Sequence, residues 1–395
     1  MKIKALFPAL KHSEQVYLDS ASSCQLPEEV IKAMSRYLSQ GHGNPHRGMY
    51  SFSEMAEELL SKTRTQLSSR FGGSPAQYIF TSGTTESINL VANHFQGLAN
   101  SNHSILVTQL EHHANLLPWM RLAKTTGAKL NILPLKTDGA PDLEKLDTYL
   151  SQNCLLFAVS HESNLTGLKL PLNNMIQRAR DYGVSTLVDG AQAVSGSKPQ
   201  FTELDCDFYA FSGHKLYSPA GIGALYCREP EKLTPLKLGG GIVNRVQADL
   251  TNSNYQLVED ISRFEAGSPN MPGIAGLSAC LSFLARINLE EEVCRQKQLI
   301  QKALSHTRSL GFTVISDPES HHILSFTSNQ FHSHDIASIL ASENISVRAG
   351  HHCAQPYLKA LGHKHCVRVS LGLYNDEEDI SRLQHGLSQV ISILG

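Results

Sequence analysis

The chain has no C-x-x-C pair among its eight cysteines, only one tryptophan, and no block of like charge. Each absence excludes something. Eight scattered cysteines in 395 residues are no disulfide framework, and they fit a reduced compartment. With 34 basic against 36 acidic side chains, neither nucleic acid nor an anionic membrane is expected as partner. No stretch approaches the roughly 20 apolar residues of a spanning helix. The start, Met1 to Pro8, shows no apolar signal segment or small-residue cleavage site, so a cytoplasmic location is expected. Cys206 and Cys227 sit in strand-like runs and read as small core hydrophobes.

What the sequence does contain is alternation. Short apolar strands (77–81, 105–110, 154–160, 185–189, 208–211, 223–227) are separated by amphipathic helical patterns at 85–95, 115–126, 141–151 and 173–182. This predicts an α/β fold with a mainly parallel central sheet covered on both faces. Near Pro269-Asn270-Met271-Pro272-Gly273 the character changes. A helix over 274–287 and a charged helical stretch lead into strands near 312–315, 323–326 and 345–347 and a closing helix over 376–394. The expected division is a large domain at 16–285, with 1–15 and 286–395 forming a smaller α+β domain. The helix at 28–39 could pack on either.

Chemistry gathers just past the strands. Lys215, in Ser212-Gly213-His214-Lys215, follows a buried-looking run, and Asp189 ends another. A lysine and an acid on neighbouring strand ends suit pyridoxal 5′-phosphate (PLP): the lysine forms the Schiff base and the acid keeps the pyridine nitrogen protonated. Thr84 and Thr85 open a helix whose free amides and hydroxyls suit a phosphate. His112 could lay its ring on a flat cofactor, and Asn164 could donate to a cofactor oxygen. Viewed singly these are ordinary caps and turn residues. Thr84, His112, Asn164, Asp189, Gln192, Ser212, His214 and Lys215 all fall at the strand edge where open α/β sheets collect ligands.

A second cluster runs from Arg348 through His351-His352-Cys353 to His363, His365, Cys366 and Arg368. Adjacent His351, His352 and Cys353 are poorly spaced for one tetrahedral ion, so no metal is expected there. The stronger reading makes Cys353 a nucleophile favoured by nearby positive charge, with Arg348 and Arg368 supplying that charge or gripping a substrate carboxylate.

These stretches, together with Tyr17-Leu18-Asp19-Ser20-Ala21, Asn44-Pro45-His46-Arg47-Gly48, Gly83 to Asn89, Glu111 to Asn115, Val188 to Ala193, Asp207 to Tyr217, Phe264 to Asn270 and Arg348 to Ala354, resemble the cysteine desulfurases of the class V aminotransferase type. The resemblance is strongest to the group II branch, with its cysteine sulfinate desulfinases and selenocysteine lyase-like enzymes. It implies PLP fold type I and L-cysteine converted to L-alanine, with the sulfur left as a persulfide on Cys353 for an acceptor protein. Cysteine sulfinate or selenocysteine could serve as alternative substrates. It also implies that Lys215 carries the cofactor, Asp189 pairs with the ring nitrogen and His112 stacks on the ring. Asn164 and Gln192 would serve the ring oxygen. Thr84, Thr85, Ser212 and His214 would hold the phosphate, joined across a homodimer interface by Ser268, where the family usually has threonine. Arg368 would bind the substrate carboxylate, with Arg348 beside it. Ser82 and Ser218-Pro219-Ala220 depart from the family pattern, and the segment 238–260 matches it only loosely apart from Gly239-Gly240-Gly241. Two other readings stay open: another class V PLP reaction (transamination or kynureninase-like cleavage), and a non-enzymatic thiol or metal sensor built on the His/Cys-rich tail.

Overall fold

The computed structural model describes residues 3–45, 48–151, 153–247 and 254–395. His46 and Arg47 of one motif, Met1 and Lys2, and part of the 238–260 stretch lie outside the described residues. The central sheet has seven strands. They are β1 (Tyr78–Thr81), β2 (Ser104–Thr108), β3 (Lys129–Leu133), β4 (Cys154–Ser160), β5 (Ser185–Asp189), β6 (Phe208–Ser212) and β7 (Gly223–Cys227). Their spatial order is β1-β7-β6-β5-β4-β2-β3. Only β7 runs against the others. The sequence reading missed β3. It is the edge strand, and Lys129 and Ile132 on it are exposed, so it lacks the continuous apolar run that marks interior strands.

Helices cover both faces. α1 (Glu28–Gln40) and α2 (Ser51–Phe71) pack on α6 (Met271–Leu284), which settles the placement of the first helix on the large core. α6 is apolar nearly all round and buried along most of its length, as a helix between layers must be. α3 (Thr84–Gln96), α4 (Leu117–Thr126) and α5 (Leu172–Asp181) connect the strands. The helix expected at 141–151 is only a 3-10 turn at Leu143–Lys145 and one α-turn at Leu146–Tyr149.

The smaller body has an antiparallel sheet of order β8-β9-β11-β10, with β8 (Thr313–Val314), β9 (Ile323–Thr327), β10 (Arg348–Gly350) and β11 (Cys366–Ser370). Covering it are α7 (Leu289–Ser309), α8 (Ser333–Ser342) and α9 (Glu377–Leu394), the last started by an Asp376/Asp379 capping box. Ile345–Ser346 pairs instead with Val16–Tyr17. Packing crosses the expected N-terminal division. Phe7 and Leu10 join the large core, while Val16 and Leu18 join the core of the smaller sheet. The second crossover falls within α7, whose Leu289 belongs to the large core and whose Leu299 to Leu304 face the small one. No single helix among the described residues is long and apolar enough to cross a membrane.

Candidate active site

The C-terminal ends of β1, β2, β4, β5 and β6 open on a cavity of about 470 Å³, closed from the other side by β10, β11 and the loop between them. Its wall includes Thr84, Thr85, His112, Asn164, Asp189, Gln192, Ser212, His214, Lys215, Arg348, Cys353 and Arg368. The cavity thus brings together every candidate except Ser268. That residue is exposed and does not line the cavity.

At the β1–α3 turn the Thr84 amide donates to Ser212 Oγ at 2.8 Å, and the two hydroxyls lie 2.8 Å apart. The cradle depends on glycine: Gly83 has φ +147°, and a Cβ there would come within 2.9 Å of Ser212 Oγ. Hydroxyls and amides around the N-terminus of a 13-residue helix fit a phosphate.

Across the cavity stand Asp189 and Lys215. Burial raises the Asp189 carboxyl against the pull of Lys215, and lowers the Lys215 ammonium against the pull of Asp189. The Asp189 Oδ1 also accepts from the Ala191 amide at 3.0 Å, which fixes its rotamer. A second cation beside Asp189, such as a protonated ring nitrogen, would offset the cost of that buried carboxylate. His112 is held by its Nδ1, which accepts from the Ala114 amide at 3.0 Å, leaving the ring proton on Nε2. Burial, aided by Lys215, pushes it down to about 3, so it presents a neutral flat ring. Amine, acid, ring and anion cradle together match the functional groups of PLP.

The facing wall is the Cys353 loop. Gly350, His352 and Cys353 have φ of +123°, +51° and +54°. Two successive non-glycine residues in the left-handed region cost about 1–3 kcal/mol each, and the loop is pinned accordingly. Asn164 Nδ2 donates to the His352 carbonyl at 2.7 Å, the His113 amide to the Cys353 carbonyl at 2.8 Å, and the His352 ring to the Cys366 carbonyl at 3.3 Å. The result is an exposed thiol held at the cavity mouth. Asn164 therefore ties the loop as well as lining the cavity, and the Gln192 side-chain amide donates to the Ala21 carbonyl at 2.9 Å.

Arg368 is buried. It donates to the Asn164 carbonyl at 2.9 Å, to Ser22 Oγ at 2.7 Å and to Asp19 at 3.1 Å, while its Nε has no partner among the described residues. A buried guanidinium with an open N–H is suited to a carboxylate. Sequence reasoning missed Asp19 and Ser22 although Asp19 stood in a quoted motif. It also missed Glu111, whose carboxylate accepts from Thr108 and Asn115 side chains and from the Ser160 amide and hydroxyl, bracing β2 against β4. Ser160, Glu162 and His334 also reach the cavity; only long-range pairing locates them.

Comparison with known proteins agrees with this geometry. The family described as aminotransferase class-V matches residues 16–383. A cysteine desulfurase of Escherichia coli O9:H4 (strain HS) is 37% identical over 406 residues, covering 100% of this chain and 98% of that protein. The crystal structure of the Escherichia coli cysteine desulfurase CsdA superposes with a TM-score of 0.93 at 34% identity, covering 99% of this chain and 98% of that one. The apo cysteine desulfurase of Thermococcus onnurineus NA1 gives 0.94 at 32% identity, with coverage of 99% and 98%. Members of this family use PLP. With fold and length both matched, the chain belongs to the class V aminotransferase family and, within it, to the cysteine desulfurases.

Proposed function

We propose that this protein is a PLP-dependent cysteine desulfurase, converting L-cysteine to L-alanine and transferring the sulfur through Cys353. One observation carries the reading: a thiol on a strained, three-fold pinned loop faces a cavity that contains both Lys215 and Asp189. Transamination and kynureninase-like cleavage give that loop no task. A thiol or metal sensor gives the Lys215 side of the cavity none.

The cofactor supplies an electron sink for the charge formed at the substrate Cα. Thr84, Thr85, Ser212 and His214 hold its phosphate, Asp189 its ring nitrogen, His112 its face, and Asn164 and Gln192 its ring oxygen. Arg368, with Arg348 beside it, orients the substrate carboxylate. Lys215, its ammonium destabilised by burial, takes the Cα proton once it is a free amine. The Cys353 thiolate attacks the substrate sulfur: an S–S bond forms, the substrate C–S bond breaks, and Cβ takes up a proton. Cysteine plus Cys353–SH thus yields alanine plus Cys353–S–SH, with all atoms accounted for. A sulfur-acceptor protein or a thiol reductant then removes the outer sulfur.

The working unit in this reading is a cytoplasmic homodimer, with Ser268 of each protomer completing the partner's phosphate site. Met49, Tyr50, Phe52 and Met55 support it: this apolar group is exposed, Met49 by 98%, as surfaces awaiting a partner are. The deciding measurement is alanine release from L-cysteine, L-cysteine sulfinate and L-selenocysteine, by wild type and Cys353→Ala, with and without a reductant. Loss of alanine from L-cysteine alone in the variant is expected. Undiminished release from L-cysteine by Cys353→Ala sinks the assignment.

A further inference from the structure

Beside the cavity, Glu162, His321 and His322 form a cluster that the desulfurase reading does not use. All three are buried, exposed by only 3, 3 and 4%. Glu162 follows β4, and the two histidines immediately precede β9, so the cluster joins the two bodies of the fold. His322 Nδ1 lies 3.3 Å from Glu162 Oε1, His321 Nδ1 3.9 Å from the same oxygen, and the two ring nitrogens 3.4 Å from each other. Donors held about 2.0–2.1 Å from a tetrahedral ion lie roughly 3.3–3.4 Å apart. Two edges of the triangle match one face of a tetrahedral site, and the third, at 3.9 Å, is longer.

The polar groups lack other partners. Both Glu162 carboxylate oxygens are buried with no hydrogen-bond acceptor role filled, and His322 Nε2 is likewise unpartnered among the described residues. A buried carboxylate in that condition needs a cation or a proton.

We propose that Glu162, His321 and His322 bind a divalent cation of the zinc type, tying the end of β4 to the start of β9. Two imidazoles and one carboxylate are borderline donors that suit zinc or cobalt better than magnesium or calcium. Glu162 also lines the main cavity, whereas His321 and His322 do not. This site is separate from the Cys353 cluster and does not depend on the desulfurase reading.

The test uses tag-free holoenzyme, stripped with a chelator and titrated with Co²⁺, followed by visible d–d absorption and elemental analysis. One tightly held equivalent per chain is expected, displaced by Zn²⁺. Glu162→Gln should lose it, while the double variant His332→Ala, His365→Ala should keep it, since those rings form a separate pair 4.1 Å apart outside the cluster. Zn²⁺ should also raise the melting temperature of wild type and not of Glu162→Gln, by mass action on the folded state. Absence of the equivalent in wild type overturns the site, and so does its persistence in Glu162→Gln. If Glu162→Gln does not fold, His321→Gln is read the same way. Metal content is the readout, so failure of desulfurase turnover leaves the result intact.

Discussion

Asp19 Oδ1 accepts from Arg368 Nη2 at 3.1 Å, while Asp19 Oδ2 lies 3.8 Å from Arg348 Nη1. One carboxylate thus sits between the two arginines assigned to the substrate. It also accepts from the Ser22 hydroxyl at 2.6 Å, and Ser22 in turn accepts from both guanidinium groups. Asp19 and Ser22 position the arginines and have no part in the chemistry itself. Asp19→Asn keeps the shape and one acceptor while removing the charge. The expected outcome is a roughly tenfold rise in KM for L-cysteine, about 1.4 kcal/mol, with kcat nearly unchanged. A fall in kcat at constant KM would assign Asp19 a different task.

The strained loop gives a second expectation. Because Cys353 occupies the left-handed region at φ +54°, serine there inherits the same backbone cost. The side chain is exposed, so Cys353→Ser should leave stability within about 0.5 kcal/mol of wild type. Turnover of L-cysteine should fall to background while the visible absorption of bound cofactor persists. Denaturant unfolding, alanine assay and absorbance together check the three statements.

Much of this was legible in the sequence because interior parallel strands are continuous apolar runs. β4, β5 and β7 were placed to the residue, and the residues just past β1, β2, β4, β5 and β6 then had to share one edge. β3 escaped because two of its five side chains are exposed, and α2 because its amphipathic pattern is weak. Asp19, Ser22, Glu111 and Glu162 escaped for another reason. Asp19 and Ser22 act through partners more than 340 positions away, and Glu111 through Ser160, 49 away. No local pattern announces such contacts. The adjacent His351, His352 and Cys353 drew attention as possible ligands, whereas the triad with ligand spacing lay at Glu162, His321 and His322.

Sheet and cradle are coupled through Gly223. A Cβ at this position would lie 2.5 Å from the Phe211 carbonyl oxygen and 2.6 Å from Gly83 Cα, both backbone atoms that cannot swing aside. Gly223→Ala must therefore push β7 away from β6 and from the turn that starts α3. Overpacking of this kind costs about 1–3 kcal/mol or more. The expected signature is a lower melting temperature together with weaker cofactor retention on gel filtration, the second exceeding that of any equally destabilising substitution in the smaller sheet.

Acid sensitivity follows from His352. Burial, with Arg368 nearby, pushes it down to about 3, against about 6.5 in the unfolded chain. The unfolded state therefore binds a proton that the folded state refuses between those two values. This contribution to stability is fully present above pH 6.5 and is lost as the pH falls, by about 1.4 kcal/mol for each pH unit. His352→Gln cannot titrate, so its unfolding free energy should decline less steeply between pH 6.5 and 4.5, by that slope. Denaturant titrations of both proteins at three pH values in this window measure it. Parallel slopes would mean that His352 is already charged in the fold, and its donation to the Cys366 carbonyl, not its burial, would then govern the loop.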